Sequence, residues 1–342
     1  MKNRQFKLAQ RPQGMVKASD FEFAEVSLGE PKEGEVLTKI LYISLDPAMR
    51  GWMNEGKSYI PPVGIGEVMR AGTLGQIVAS KNPAYKVGDF VAGSDGVQDY
   101  AINNGKGYAK VDPKLAPLPK FIGVLGMPGL TAWAGLTIIG QPKAGETITV
   151  AAATGPVGAT VGQIGKLLGC RVVGVAGGAE KCAYAVDTLG FDACLDHRAP
   201  DLRGRLAAAA PKGIDVYFEN VGGAVFDAVV PLLNTRARIP LCGLIARYNE
   251  TKLPDGPDRA GWLMGEFLHK RITVQGFIVL EDFGPRYPEF AAAMNGWIAD
   301  GKIIYREDVV DGLENAPEAF IGMLRGDNFG KRVIRVGDSE VQ

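Results

Sequence analysis

Histidine is nearly missing from the 342 residues: only His197 and His269 occur, and neither stands in a ligand-like pattern with a cysteine or a carboxylate. A zinc centre needs three or four such ligands, so no metal site is expected. Cysteine is scarce too. Cys170, Cys182, Cys194 and Cys242 form no C-x-x-C pair, which argues against a disulfide framework and leaves each as a small apolar residue. Neither charge is in excess, because 38 Lys and Arg balance 38 Asp and Glu, and nucleic acid therefore finds no basic footprint. No apolar run approaches the roughly 20 residues that span a bilayer, and the N-terminus lacks the apolar stretch of a secretory signal. A cytoplasmic protein is expected, with neither membrane nor nucleic acid as partner.

What is present is a globular balance, 46% hydrophobic and 22% charged. The chain is longer than one core usually serves, at roughly 150 residues per domain, so two domains are expected. Between about residues 20 and 120, short apolar runs at 36–45, 75–79 and 89–92 are cut by glycine and proline, which predicts an antiparallel β-rich domain. From about 125, strands alternate with helices, the pattern of βαβ units on a doubly wound parallel sheet. The spacing predicts strands at 147–152, 171–175, 193–195, 215–219, 237–241 and 273–279. Helices are predicted at 179–189, 201–209, 224–233 and 288–299. Val157, Val161, Ile164 and Leu168 form one further helical face after the first of these strands. A last strand at 332–336 returns to the first domain. The expected division is 1–124 with 303–342, and 125–302.

Directly after the first βα strand the sequence reads Ala153-Thr154-Gly155-Pro156-Val157-Gly158-Ala159-Thr160-Val161-Gly162. Small residues at Gly155, Pro156, Val157 and Gly158 let backbone approach a pyrophosphate, whose charge a helix N-terminus stabilises. A turn chosen only for tight packing would look the same. An NAD site places a carboxylate about 20 residues on, at the end of the second strand. Here the strand runs instead into Gly177-Gly178-Ala179-Glu180-Lys181. Gly178 with Lys181 points to a 2′-phosphate and so to NADPH, and His197 with Arg198 can complete that pocket, although a solvated lysine and loop residues would read alike.

Seven stretches carry a resemblance over nearly the whole chain. They are Ser44-Leu45-Asp46-Pro47-Ala48-Met49-Arg50-Gly51, Gly126-Met127-Pro128-Gly129-Leu130-Thr131-Ala132 and Val161-Gly162-Gln163-Ile164-Gly165-Lys166. Val173-Gly174-Val175-Ala176-Gly177-Gly178-Ala179-Glu180-Lys181-Cys182 and Phe218-Glu219-Asn220-Val221-Gly222-Gly223 follow. The last are Cys242-Gly243-Leu244-Ile245-Ala246-Arg247-Tyr248-Asn249 and Leu324-Arg325-Gly326-Asp327-Asn328-Phe329-Gly330-Lys331. In these the chain resembles the zinc-independent medium-chain dehydrogenase/reductase family, in the group of leukotriene B4 dehydrogenase/prostaglandin reductase, alkenal double-bond reductases and bacterial curcumin reductase.

The resemblance implies an α/β protein: a GroES-like β-rich catalytic domain plus a Rossmann doubly wound parallel sheet, with NADPH/NADP+ as cofactor and a homodimer as assembly. It implies Met127 and Thr131 against the nicotinamide and Lys181 on the 2′-phosphate. Asn220, Cys242, Gly243, Phe277 and Val279 would line the cofactor, and Asn328, Gly330 and Lys331 would reach its ribose and phosphates from the other domain. His197 and Ala48 stand where the group usually has tyrosine. Plainer roles remain open: core for Met127 and Phe277, a helix cap for Thr131, turns for Asn220, Asn328 and Gly330, and a surface charge for Lys331.

The implied reaction reduces the carbon-carbon double bond of an α,β-unsaturated ketone or aldehyde, as an oxidoreductase acting on the CH–CH group. Hydride reaching the β-carbon sends negative charge to the carbonyl oxygen, where a donor is needed. Tyr248 is the candidate, because a phenol keeps its proton at neutral pH. A pocket wall is its plainer role. Met53 and Tyr59 are further candidates for the substrate pocket. A quinone reductase and a non-catalytic NADPH-binding protein remain as alternatives; a zinc alcohol dehydrogenase lacks its ligands.

Overall fold

A computed structural model describes residues 1–253 and 256–338. The described chain separates into two compact units, one of Met1–Gly123 with the segment from Glu307 on, the other Val124–Arg306.

The first unit opens with β1 (Lys2–Leu8) and β2 (Phe21–Ser27), an antiparallel pair. Then come β3 (Val36–Ser44), the short helix α1 (Met49–Trp52), β4 (Gly72–Ser80), β5 (Phe90–Gly93), β6 (Tyr100–Asn103) and β7 (Ala109–Val111). Strand β3 alternates little and is buried on both faces, which is why it is mostly apolar.

In the second unit, α2 (Met127–Ala134) precedes β8 (Thr147–Ala151), α3 (Pro156–Leu167), β9 (Arg171–Ala176), α4 (Ala179–Asp187), β10 (Ala193–Asp196), α5 (Leu202–Ala209) and β11 (Ile214–Phe218). It continues with α6 (Gly223–Val229), β12 (Leu233–Leu241), α7 (Ala260–Lys270), β13 (Thr273–Gly276), α8 (Val279–Phe283) and α9 (Tyr287–Ala299). Back in the first unit, β14 (Glu307–Asp311), α10 (Ala316–Arg325) and β15 (Lys331–Arg335) complete the chain. Strand β15 is antiparallel to β3 and parallel to β14, so the returning segment extends the first unit's seven-stranded sheet.

The second unit's six strands are all parallel, in the order β10-β9-β8-β11-β12-β13. Strand order reverses between β8 and β11, and a ligand crevice is expected outside the carboxyl ends there.

Two expectations need correction. The strand predicted to 279 ends at Gly276, because the Asp282 carboxylate accepts the Ile278 N–H at 2.7 Å and starts α8 at Val279. The helix predicted to 233 yields at Val230 to a tighter turn through Pro231, and β12 already begins at Leu233.

Candidate functional site

The turn after β8 is built for close backbone approach. Ala152 has φ +53°, Gly155 caps α3 without a side chain, and Pro156 takes the first helical position. A Cβ on Gly158 would lie 2.2 Å from the Ala152 carbonyl oxygen, so only glycine fits. Behind the turn, a Cβ on Gly162 would fall 1.9 Å from the Phe191 ring, which seats α3 hard on the sheet. The opening N–H groups of α3 and its dipole form an anion site that no capping side chain fills. A dinucleotide pyrophosphate fits this cradle.

At the end of β9, Gly177 and Gly178 form a floor, with Gly178 at φ +98°. A Cβ on Gly177 would come within 3.0 Å of His197 Nε2 and 3.2 Å of Arg198 Nη2, so both side chains lean over the glycine. Partial burial, then Arg198, push the His197 pKa down; Lys181 acts in the same sense, which places it near the same group. Asp196 accepts the N–H groups of Gly178 and Arg198, which hold its pKa below the usual range. Three basic groups thus gather where an NAD site would present a carboxylate, and a 2′-phosphate matches them.

The ends of β11 and β12 carry Asn220, Cys242, Gly243 and Tyr248. Asn220 donates its amide to the Ala151 carbonyl at 2.9 Å, tying β11 to β8. Burial and the nearby Glu219 push the Cys242 thiol up to about 12, which makes it a wall rather than a nucleophile. Tyr248 Oη accepts the Leu244 N–H at 3.3 Å and lies 3.0 Å from where a Cβ on Gly243 would stand, so glycine makes room for the phenol. Met127 opens α2, and Thr131 bonds back to its carbonyl at 2.7 Å.

Several expected positions look elsewhere. Phe277 packs edge-on against Phe218 and Phe283 in the core, and Val279 is buried at the start of α8. Both lie beyond the end of β13. In the first unit, Met53 is fully buried in the core, while Tyr59 is exposed and accepts the Trp52 indole N–H at 2.6 Å. Asn328 closes a turn onto the Gly330 carbonyl at 2.8 Å, with Gly330 at φ +99°. Lys331 is not a surface charge: its ammonium is buried on the Leu45 carbonyl at 2.8 Å and Asp46 at 2.6 Å, and Ser44 bonds the other Asp46 oxygen. Glu219 was not singled out from sequence. Its signal was a carboxylate closing the apolar strand Ile214–Phe218 just before two glycines.

Among the described residues, no group of three or more His, Cys, Asp or Glu side chains is placed to hold a metal ion, and no helix is long and apolar enough to cross a membrane. Residues 4–111 match the family described as the N-terminal domain of oxidoreductase, and residues 156–296 match the zinc-binding dehydrogenase family. The chain is 57% identical to the NADPH-dependent curcumin reductase of Escherichia coli K12, over 99% of this chain and 98% of that protein. It is 39% identical to the NADP(+)-dependent 2-alkenal reductase of Nicotiana tabacum, over 98% and 97%. The crystal structure of CurA from Vibrio vulnificus in complex with NADPH superposes with a TM-score of 0.96 at 55% identity, covering 98% of this chain and all of that one (100%).

Proposed function

The chain belongs to the zinc-independent medium-chain dehydrogenase/reductase family, in the group of the curcumin and 2-alkenal reductases, and from that premise we propose that it reduces the carbon-carbon double bond of α,β-unsaturated ketones or aldehydes with NADPH. The observation that carries the reading is His197 and Arg198 over a glycine floor with Lys181 near His197, one strand away from an open helix N-terminus.

Bound NADPH supplies a hydride for the β-carbon of the substrate. The chain's own residues bind and orient. Gly155, Pro156, Val157 and Gly158 present backbone and the α3 dipole to the pyrophosphate. Lys181, His197 and Arg198 meet the 2′-phosphate. Asn220, Cys242 and Gly243 wall the crevice beyond β11 and β12. Tyr248 donates a hydrogen bond at the carbonyl oxygen, where charge gathers as the β-carbon is reduced. Two copies associate as a homodimer.

Oxidation of NADPH and of NADH across enals, enones, aryl enones and quinones tests the reading. Turnover of enones with NADPH well above NADH is expected. Turnover of quinones alone would make this a quinone reductase, and tight NADPH binding without any turnover would make it a binding protein.

A further inference from the structure

Glu219 lies one residue beyond β11 and is wholly buried, in a crevice wall where a carboxylate is costly unless it holds something. Its Oε1 accepts two backbone N–H groups, from Val221 at 2.6 Å and Gly222 at 2.8 Å. Its main-chain carbonyl accepts two more, from Cys242 at 2.9 Å and Gly243 at 3.1 Å. The two loops are then joined directly, by Ile245 N–H on the Asn220 carbonyl at 3.3 Å and Ala246 N–H on the Val221 carbonyl at 3.0 Å. One residue therefore fixes the loop after β11 against the loop after β12. These loops carry Asn220, Cys242, Gly243 and Tyr248.

The rest of the side chain sharpens the point. Oε2 and the hydroxyl of Tyr217, two residues earlier on the same face of the strand, are both buried and close enough to couple, each shifting the other's titration. Burial raises the pKa of both groups. An apolar residue would avoid burying this polar pair, and a packing role alone gives no reason to keep it. What an apolar residue cannot do is accept the two amides of the Val221-Gly222 turn.

We infer that Glu219 is a positioning residue, whose carboxyl oxygen holds the 221–222 amides while its carbonyl holds 242–243, so that the two crevice loops keep one mutual geometry on which hydride transfer depends. The inference rests on the NADPH-reductase reading for its catalytic consequence, but the loop geometry is independent of it. Acceptor capacity is the property that matters, not charge.

Glu219→Gln keeps an acceptor oxygen; Glu219→Met keeps length and bulk and removes it. In the Met variant, peptide-resolved hydrogen exchange over 220–223 should speed by about tenfold or more in the cofactor-free protein. Single-turnover NADPH oxidation with a saturating enone should slow by about tenfold, while the NADPH Kd moves by less than about threefold, because the phosphate contacts lie elsewhere. Glu219→Gln should stay within about threefold of the parent in all three. Parent-like exchange over 220–223 in the Met variant, or a Gln variant as impaired as Met, would overturn the inference. If the Met variant does not fold, the Gln variant decides: protection retained supports the acceptor role, and protection lost refutes it. If the parent turns over no enone, the exchange result still stands and only the functional reading fails.

Discussion

In the proposed pocket Lys181 and Arg198 would act on the cofactor through charge, so their contribution separates from that of shape. Lys181→Ala should weaken NADPH by about tenfold and leave NADH within about twofold, since a charge-assisted bond to a phosphate is worth roughly 1.5–3 kcal/mol and this site is partly open to solvent. Fluorescence titration of both dinucleotides checks it, and equal losses would remove Lys181 from the pocket. Lys331 illustrates the opposite case. Its partner Asp46 is 285 positions away, so no local pattern reveals that the ammonium is spent inside the first unit. Removing one member of a buried pair strands the other, and Lys331→Met should cost about 3–5 kcal/mol of stability in a denaturant titration. For Tyr248 the prediction is chemical. Tyr248→Phe keeps the ring and removes the donor, so single-turnover NADPH oxidation with a saturating enone should slow by about tenfold or more, with cofactor affinity retained. A rate within about twofold of the parent would leave Tyr248 as a wall.

The βα turn is the element on which cofactor binding is proposed to depend, and glycines in different elements differ in what they allow. Gly158→Ala drives a Cβ into the Ala152 carbonyl, which is backbone and cannot swing aside, so the turn must open. NADPH affinity should fall by about tenfold or more together with the Tm. Gly296→Ala, in α9 with open space around it, should instead stabilise by roughly 0.4–1 kcal/mol, because only the unfolded chain loses freedom. A loss of NADPH binding in both variants would point to general fragility instead. This turn was legible in the sequence because its requirement is local: a strand, small residues, then an apolar helical face. The alternation of strands and helices was legible for the same reason. The end of β13 was not. Residues 273–279 read as one strand, and what ends it early is a side-chain cap from Asp282, beyond the segment itself. The burial of Met53 was not legible either, since it comes from packing with distant residues such as Phe320 and Ile334. Glu219 was visible only as a letter within a motif, because its work is done on backbone amides of two separate loops.

At the scale of the whole molecule, the second unit ends on an unprotected edge. Strand β13 is last in the parallel sheet, all four of its residues are exposed, and Thr273-Val274-Gln275-Gly276 carries neither a charge nor a proline to block pairing. Beside it, α7 packs Leu263 and Phe267 against the core while Met264 and Leu268, also four apart, face solvent at 65% and 73% exposure. An edge and an apolar stripe together suit a second copy of the same chain. A two-fold axis beside β13 would pair it antiparallel with itself and bring the two stripes into one interface. Light scattering after size exclusion should therefore give twice the mass of the chain at micromolar concentration. Leu268→Glu combined with Val274→Glu places charge on both features at exposed positions, so the fold and NADPH affinity should persist while the mass falls to one chain. A parent that runs as a monomer would refute the homodimer. A double variant that remains dimeric would move the interface to another surface.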